Sequence, residues 1–349
     1  MTVDPENKTV HFNQLDGLRG VAIIIVVLSH CDILNQGGVA NALFFAIAGF
    51  LLINPFKDEY ENRFLSIWSI LKFYKSRALR ILPGYYLVLL SVFLQTGFSL
   101  IPKSDFINLL FFFGIYRHLW FICTYFWLML IIPFVFAGLL LLAKIIKPLN
   151  NDIVRAIVFL VLAALFRFVL LPMDQLYIRI DQLMLGICAG YIFRFIRKNN
   201  RFKSVIGKKS VIGDLILIFV FSLVFLSSNV VLGLINPDWS NFLIGWNFFF
   251  LVGCFMSLLV ILICIFPNGM IGRILSSNIL LFIGRLSFTI YLLNNFVIDQ
   301  INVSSKYFLF ICAFSVCVVL AWIIDTVISK VISVCKTSTS VILNKSNNQ

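Results

Sequence analysis

The sequence predicts an all-α protein, a polytopic membrane bundle of about ten transmembrane helices with both termini in the cytoplasm. Three observations lead there. First, 61% of the 349 residues are apolar and 12% are charged, with a mean hydropathy of +1.01. A soluble domain is about half apolar and about a quarter charged, so this chain cannot hide its apolar side chains in one water-facing globule. Second, the apolar runs are continuous and lack the alternation of barrel strands, which makes them helices. Third, the 28 Lys and Arg divide unevenly between the two sides that ten runs define. On one side fall 21, on the other only Lys103, Arg117 and Lys306, while Arg19, Arg167, Arg179 and Arg285 lie within or at the edges of runs. The rich side is cytoplasmic by the positive-inside rule. The net charge of +13 is thereby a topology determinant, and no nucleic-acid partner is expected.

Residues 1–12 read as a cytoplasmic tail, 13–330 as one membrane domain and 331–349 as a second, polar cytoplasmic tail that frays. The first span, 15–34, lacks a basic leader and carries polar groups, unlike a signal peptide. In the second, 39–56, Ala46-Ile47-Ala48 imitates a cleavage site, yet the apolar run passes through it, so no cleavage is expected. The third, 81–101, follows a basic loop and has Pro83 in its first turn, where proline is tolerated. The fourth, 119–143, opens at the outer edge with His118, read as a solvated interfacial histidine, and Trp120, a belt residue or a platform for a sugar. Arg167 near the end of the fifth, 153–171, reads as an interface anchor. The sixth, 178–196, opens with Arg179 and Asp181, which diverge by about 200° on a helix and need partners elsewhere. An acceptor-site or gating role and an interhelical ion pair are both open for them. The remaining spans are 211–235, 241–266, 278–300 and 307–329.

Gly49, Gly186 and Gly284 are expected at close helix crossings. Eight cysteines are scattered without metal-ligand spacing. They read as small apolar packing residues, Cys31 beside His30 being the one next to a chemical group, and no metal is expected. No remaining stretch reaches the size of a soluble domain, so chemistry is expected within the bundle or with a partner chain.

Ionisable groups inside a span are costly and are functional suspects. The first span has Asp16, Arg19, His30 and Asp32 around the apolar run Val21–Leu28. Eleven residues separate Arg19 from His30, which puts them within about 20° of one face and about 16 Å apart along the axis. Asp16 shares that face, one turn below Arg19, and Asp32 points away. Imidazole is the usual proton acceptor for a hydroxyl near neutral pH, and arginine at the inner mouth suits phosphate. The span between them is comparable to an extended pantetheine arm. The same pair also fits a snorkelling anchor and a packed histidine.

Other segments narrow this. NQLDGLRGVAIIIVVLSH (13–30), with Arg19 and His30, resembles the opening of the acyltransferase-3 family of membrane O-acyltransferases. GGVANALFFAIAGFLL (37–52), FYKSRALRILPGYY (73–86), HLWFICTYFWLMLIIP (118–133), RIDQLMLG (179–186) and FIGRLSFTIYLL (282–293) are similar to later segments of that family, in the same order. Tyr125 and Phe126 stand where many members have an acidic pair, Asn294 where many have His, and Ala48 where Ser is common.

The resemblance implies an O-acyltransferase that moves acetyl from cytoplasmic acetyl-CoA to a hydroxyl of a cell-surface glycan. The acceptor would be an O-antigen, part of a lipopolysaccharide, an exopolysaccharide or a lipid-linked oligosaccharide, in a bacterial inner membrane. Arg19, Arg77 and Arg80 would hold the donor, and Asp16 would orient Arg19. His30 would be general base or transient acyl acceptor, with His118 as a helper, and Arg77 and Arg80 would share one side if their segment is helical. His118, Trp120, Arg179 and Asp181 are the residues proposed for the acceptor site or a gate. A transporter or flippase of a lipid-linked sugar is the alternative, since intramembrane charges fit it too. A relative that has lost catalysis and serves as a binding partner is a third.

Overall fold

The computed structural model describes residues 2–3, 10–34, 36–114, 116–170, 179–199, 211–226 and 246–346. Side chains are described for 12–34, 36–114, 116–170, 179–199, 211–223 and 249–334. Twelve α-helices are described: α1 (Asn13–His30), α2 (Gly37–Leu52), α3 (Ile67–Thr96), α4 (Lys103–Leu110), α5 (Trp120–Ile145), α6 (Asp152–Leu165), α7 (Ile180–Lys198), α8 (Val211–Leu226), α9 (Trp246–Ile265), α10 (Met270–Leu275), α11 (Asn278–Gln300) and α12 (Lys306–Ser346). A π-turn, Phe166–Leu170, extends α6, and short 3₁₀ segments cover Tyr60–Leu65, Arg117–Leu119 and Lys147–Asn150. Before α1, Thr2–Val3 pairs antiparallel with Val10–His11.

Five helices among the described residues are long and apolar enough to cross a membrane: Ile67–Thr96, Arg117–Ile145, Asp152–Leu170, Asn278–Gln300 and Lys306–Val334. Leu94, Phe134, Val169 and Val319 on four of them point outward and exposed, as a lipid-facing surface requires. The chain is a multi-pass membrane protein. Helices α1 and α7 lie inside: Arg19 pairs with Asp16 within α1, and Asp181 and Arg194 of α7 pair with Arg167 and with Glu61 and Asp152.

Three boundaries differ from the sequence expectation. The basic segment 73–86 is no loop but the middle of the 30-residue α3, and Pro83 sits inside that helix. Buried Ile70 and Phe73 before residues 74–80 and Ile81, Tyr85, Val88, Leu89 and Val92 after them lie on one continuous helix. The charges hide this from a hydropathy reading, and residues 74–80 are half-buried or exposed while the helix runs on through them. Helix α1 stops at His30, and a turn with left-handed Asp32 (φ 55°) follows. The terminal segment expected to fray continues as helix to Ser346.

Two helix crossings form the frame. At α1 against α11, a Cβ on Gly284 would stand 1.9 Å from the Asp16 carbonyl oxygen, and one on Gly20 2.5 Å from that of Leu280. At α2 against α7, a Cβ on Gly49 would stand 2.2 Å from the Leu183 oxygen, and one on Gly186 2.3 Å from that of Ala46. The backbones touch because these side chains are absent, as expected of small residues in membrane helices. Gly284→Ala should force α1 away from α11 and cost about 3 kcal/mol, the upper part of the overpacking range. A thermal unfolding midpoint unchanged in detergent would contradict the packing.

Candidate active site

One end of the site is built on α1 and α3. Arg19 and Asp16, one turn apart on α1, form a 2.8 Å ion pair, so Asp16 fixes the guanidinium. Arg77 and Arg80 lie one turn apart on α3. All three arginines line one cavity of about 220 Å³, whose lining also includes Phe121, Tyr125 and Tyr291. The Arg77 guanidinium lies 5.3 Å from the Phe73 ring centre. Among the described residues neither Arg77 nor Arg80 has an ion-pair partner within 4 Å, although Asp325 lines a neighbouring cavity together with Arg80, so the three guanidinium groups outnumber the carboxylates beside them. A groove of about 540 Å³ adjoins it, sharing Arg77 and Arg80 and adding Arg63, Lys72 and Tyr60. This is a setting for an anion with an apolar or uncharged extension. Tyr125, standing where the resembling family often has a carboxylate, offers the cavity a phenol instead, and Phe126 stacks on Phe112 at 4.0 Å.

The other end is built on α1, the start of α5 and α11. His30 Nδ1 is hydrogen-bonded to Asn294 Oδ1. The His30 and His118 rings are 6.0 Å apart. His118 is buried, not the solvated interfacial residue that the sequence suggests. Both its nitrogens are engaged: Nε2 donates to the Leu292 carbonyl at 3.1 Å, and Nδ1 accepts from Asn295 Nδ2 at 2.9 Å. A carbonyl only accepts, so the proton of the neutral ring is on Nε2 and its lone pair is occupied. His118 in this arrangement has nothing left with which to take a substrate proton. The Tyr291 hydroxyl donates to the His118 carbonyl at 2.6 Å. Phe121 and Tyr291, ring centres 5.0 Å apart, form the wall of the arginine cavity on the side of this cluster. His30 does not line that cavity.

The remaining expected residues are elsewhere. Asp181 accepts two hydrogen bonds from Arg167, 2.9 Å from Nε and 2.6 Å from Nη2, with both side chains fully buried. Arg167 is thus no interface anchor; an arginine at that depth is accommodated because a carboxylate meets its fork. The Arg179 guanidinium stacks 3.5 Å from the Phe249 ring centre and lies 5.8 Å from that of Trp120.

One cluster was not visible in the sequence. Glu61, fully buried in the 3₁₀ segment before α3, accepts from Arg155 at 2.6 Å, from Arg194 at 2.7 and 2.8 Å, and from the Tyr191 hydroxyl at 3.3 Å. Arg194 also donates to Asp152 at 3.0 and 2.8 Å. The sequence offers these arginines only as positive-inside charge. Among the described residues no group of three or more His, Cys, Asp or Glu comes together as a metal site.

The comparisons with known proteins meet this geometry. The chain is 26% identical over 317 residues to O-acetyltransferase OatA of Staphylococcus aureus strain NCTC 8325 / PS 47, an alignment covering 82% of this chain and 51% of that protein. The same values hold for OatA of S. aureus strain COL. The chain therefore spans about half the length of the curated relatives it matches. No solved structure matches it. The acyltransferase-3 profile, described as an acyltransferase domain, matches residues 12–326, nearly all of the bundle and every residue of the two clusters above, and the chain belongs to that family.

Proposed function

We propose that this protein is an O-acetyltransferase that moves acetyl from acetyl-CoA to a hydroxyl of a cell-surface glycan. The observation that carries this reading is the convergence of Arg19, Arg77 and Arg80 on one cavity with a partly aromatic lining. Clustered guanidinium groups suit the phosphates of the donor, and the apolar interior suits its thioester arm. The chain would cross a bacterial cytoplasmic membrane ten times with both termini inside, which puts the three arginines at the cytoplasmic mouth. Family membership favours group transfer over the transport of a lipid-linked sugar.

In this reading the thioester threads past Phe121 and Tyr291 toward His30 and meets an acceptor that enters from the outer face. His30 takes the hydroxyl proton as the acceptor oxygen bonds to the thioester carbonyl carbon. The carbon–sulfur bond then breaks, and the proton passes to sulfur to give the CoA thiol. A transient acetyl on His30 would divide the same overall transfer into two steps.

Incubating membranes that contain the protein with radiolabelled acetyl-CoA should yield alkali-labile acetyl on polysaccharide. Movement of unmodified sugar across the membrane without acetyl transfer would replace this reading with the transporter. An ion-assisted hydrogen bond contributes about 1.5–3 kcal/mol, so Arg19→Ala should raise the KM for acetyl-CoA about tenfold or more. Unchanged acetyl-CoA binding in that variant would remove Arg19 from the donor site.

A further inference from the structure

Asn294 is fully buried on α11, and its amide has one donating and one accepting end. The donating end is claimed by its own helix: Nδ2 lies 2.6 Å from the Tyr291 carbonyl oxygen and 3.4 Å from that of Ile290. Both are acceptors only. Turning the amide over would press two oxygens together with no hydrogen between them, so Oδ1 is the end that faces His30 Nδ1. The hydrogen in that contact must then belong to the imidazole. A neutral imidazole carries one N–H, which leaves the lone pair on Nε2. That nitrogen has no hydrogen-bond partner among the described residues.

His118 is the reverse case, 6.0 Å away. Leu292 O holds its proton on Nε2, and Asn295 occupies the Nδ1 lone pair. Groups at positions 292, 294 and 295, within one turn of α11, thus hold two neighbouring histidines in opposite tautomers. One imidazole lone pair of the four nitrogens is left unclaimed.

We propose that Asn294 is a positioning residue that keeps the His30 proton on Nδ1, so that Nε2 is the atom that receives the acceptor's hydroxyl proton. The inference rests on the acyl-transfer reading for the last step only. When Nε2 takes the proton, Nδ1–H still donates to Asn294, so the ring need not turn during the reaction. A neutral amide here does what an orienting partner does for a catalytic histidine elsewhere.

The protein has three histidines, His11, His30 and His118, so nitrogen NMR of the full chain labelled with ¹⁵N-histidine resolves them, with His11→Gln and His30→Gln assigning the signals. At a pH where the rings are neutral, His30 should show a protonated Nδ1 and an unprotonated Nε2, and His118 the opposite. A His30 proton on Nε2 overturns the proposal, whatever the activity. Asn294→Leu should lose the tautomer preference and lower kcat about tenfold or more, with the KM for acetyl-CoA unchanged. Asn294→His, which restores a ring nitrogen able to accept from Nδ1–H, should retain most of kcat, and it guards against a folding defect in the leucine variant. Wild-type kcat in Asn294→Leu overturns the positioning role and leaves acyl transfer standing. A wild-type protein that transfers nothing from acetyl-CoA overturns the base role of Nε2 and the acyl-transfer reading, but not the tautomer that NMR reads.

Discussion

Replacing His30 by alanine is expected to lower acetyl transfer by about 10²- to 10⁴-fold, the usual contribution of a positioned acid–base group, at an unchanged level of protein in the membrane. Three features combine in this expectation. His30 shares a helix face with Arg19, which lines the arginine cavity proposed for the donor. His118, the one other described histidine near it, has both nitrogens committed to α11. Tyr125 and Phe126 occupy the positions where the resemblance leads one to expect an acidic pair. Among the described residues around His30 no second base is therefore in reserve. The measurement is labelled acetyl on polysaccharide in membranes from the two strains, normalised to protein. Transfer by His30→Ala at the wild-type rate would end the proposed mechanism. Because Arg19 and its Asp16 partner are untouched, acetyl-CoA binding should persist in the inactive variant, which separates loss of chemistry from loss of the donor site.

The second large effect concerns stability. Glu61→Ala should cost about 3–5 kcal/mol, the loss typical when one partner of a buried ion pair is removed. It leaves Arg155 without its carboxylate and Arg194 with Asp152 alone. The thermal midpoint of the purified protein in detergent reads this directly, and a midpoint equal to wild type would refute the network. The segment Tyr60–Leu65 also presents Tyr60 and Arg63 to the groove beside Arg77 and Arg80, so its loosening should weaken donor binding as well. Acid should act through the same residue, which lies outside the apolar spans. Burial alone pushes the Glu61 carboxyl up, but the hydrogen bonds and charge of Arg194 outweigh it and hold the group below its ordinary 4.5. On acidification the unfolded carboxyl takes up its proton first. The contribution of Glu61 is therefore intact above about pH 4.5 and is lost as pH falls through the lower folded value. Wild type should lose thermal stability more steeply there than Glu61→Gln.

Much of this molecule was legible in the chain. The apolar runs marked the helices, because a membrane helix needs little but length and hydropathy. Arg19, Asp16 and His30 could be placed on one face of α1, and Arg77 with Arg80 on one side of a helix, because three- and eleven-residue spacings are properties of the helix itself. Gly49, Gly186 and Gly284 marked the crossings. The start of α3 lies outside the hydropathy reading because hydropathy registers the charges of Lys72–Arg80 and not the helical hydrogen bonding that carries the backbone through them.

The burial of His118 and the ion pairs were out of reach for another reason. Leu292 lies 174 residues from His118, and Glu61 meets Arg155 and Arg194 across 94 and 133 residues. Composition, hydropathy and helical spacing depend on near neighbours in the chain, and these settled that the protein is a helical membrane protein with an arginine–histidine stripe. Which charge is neutralised, which arginines gather at the cavity and which nitrogen of each histidine bears the proton depend on the partner that packing brings within about 3 Å. Those partners come from helices distant in sequence, so only the assembled bundle decides them.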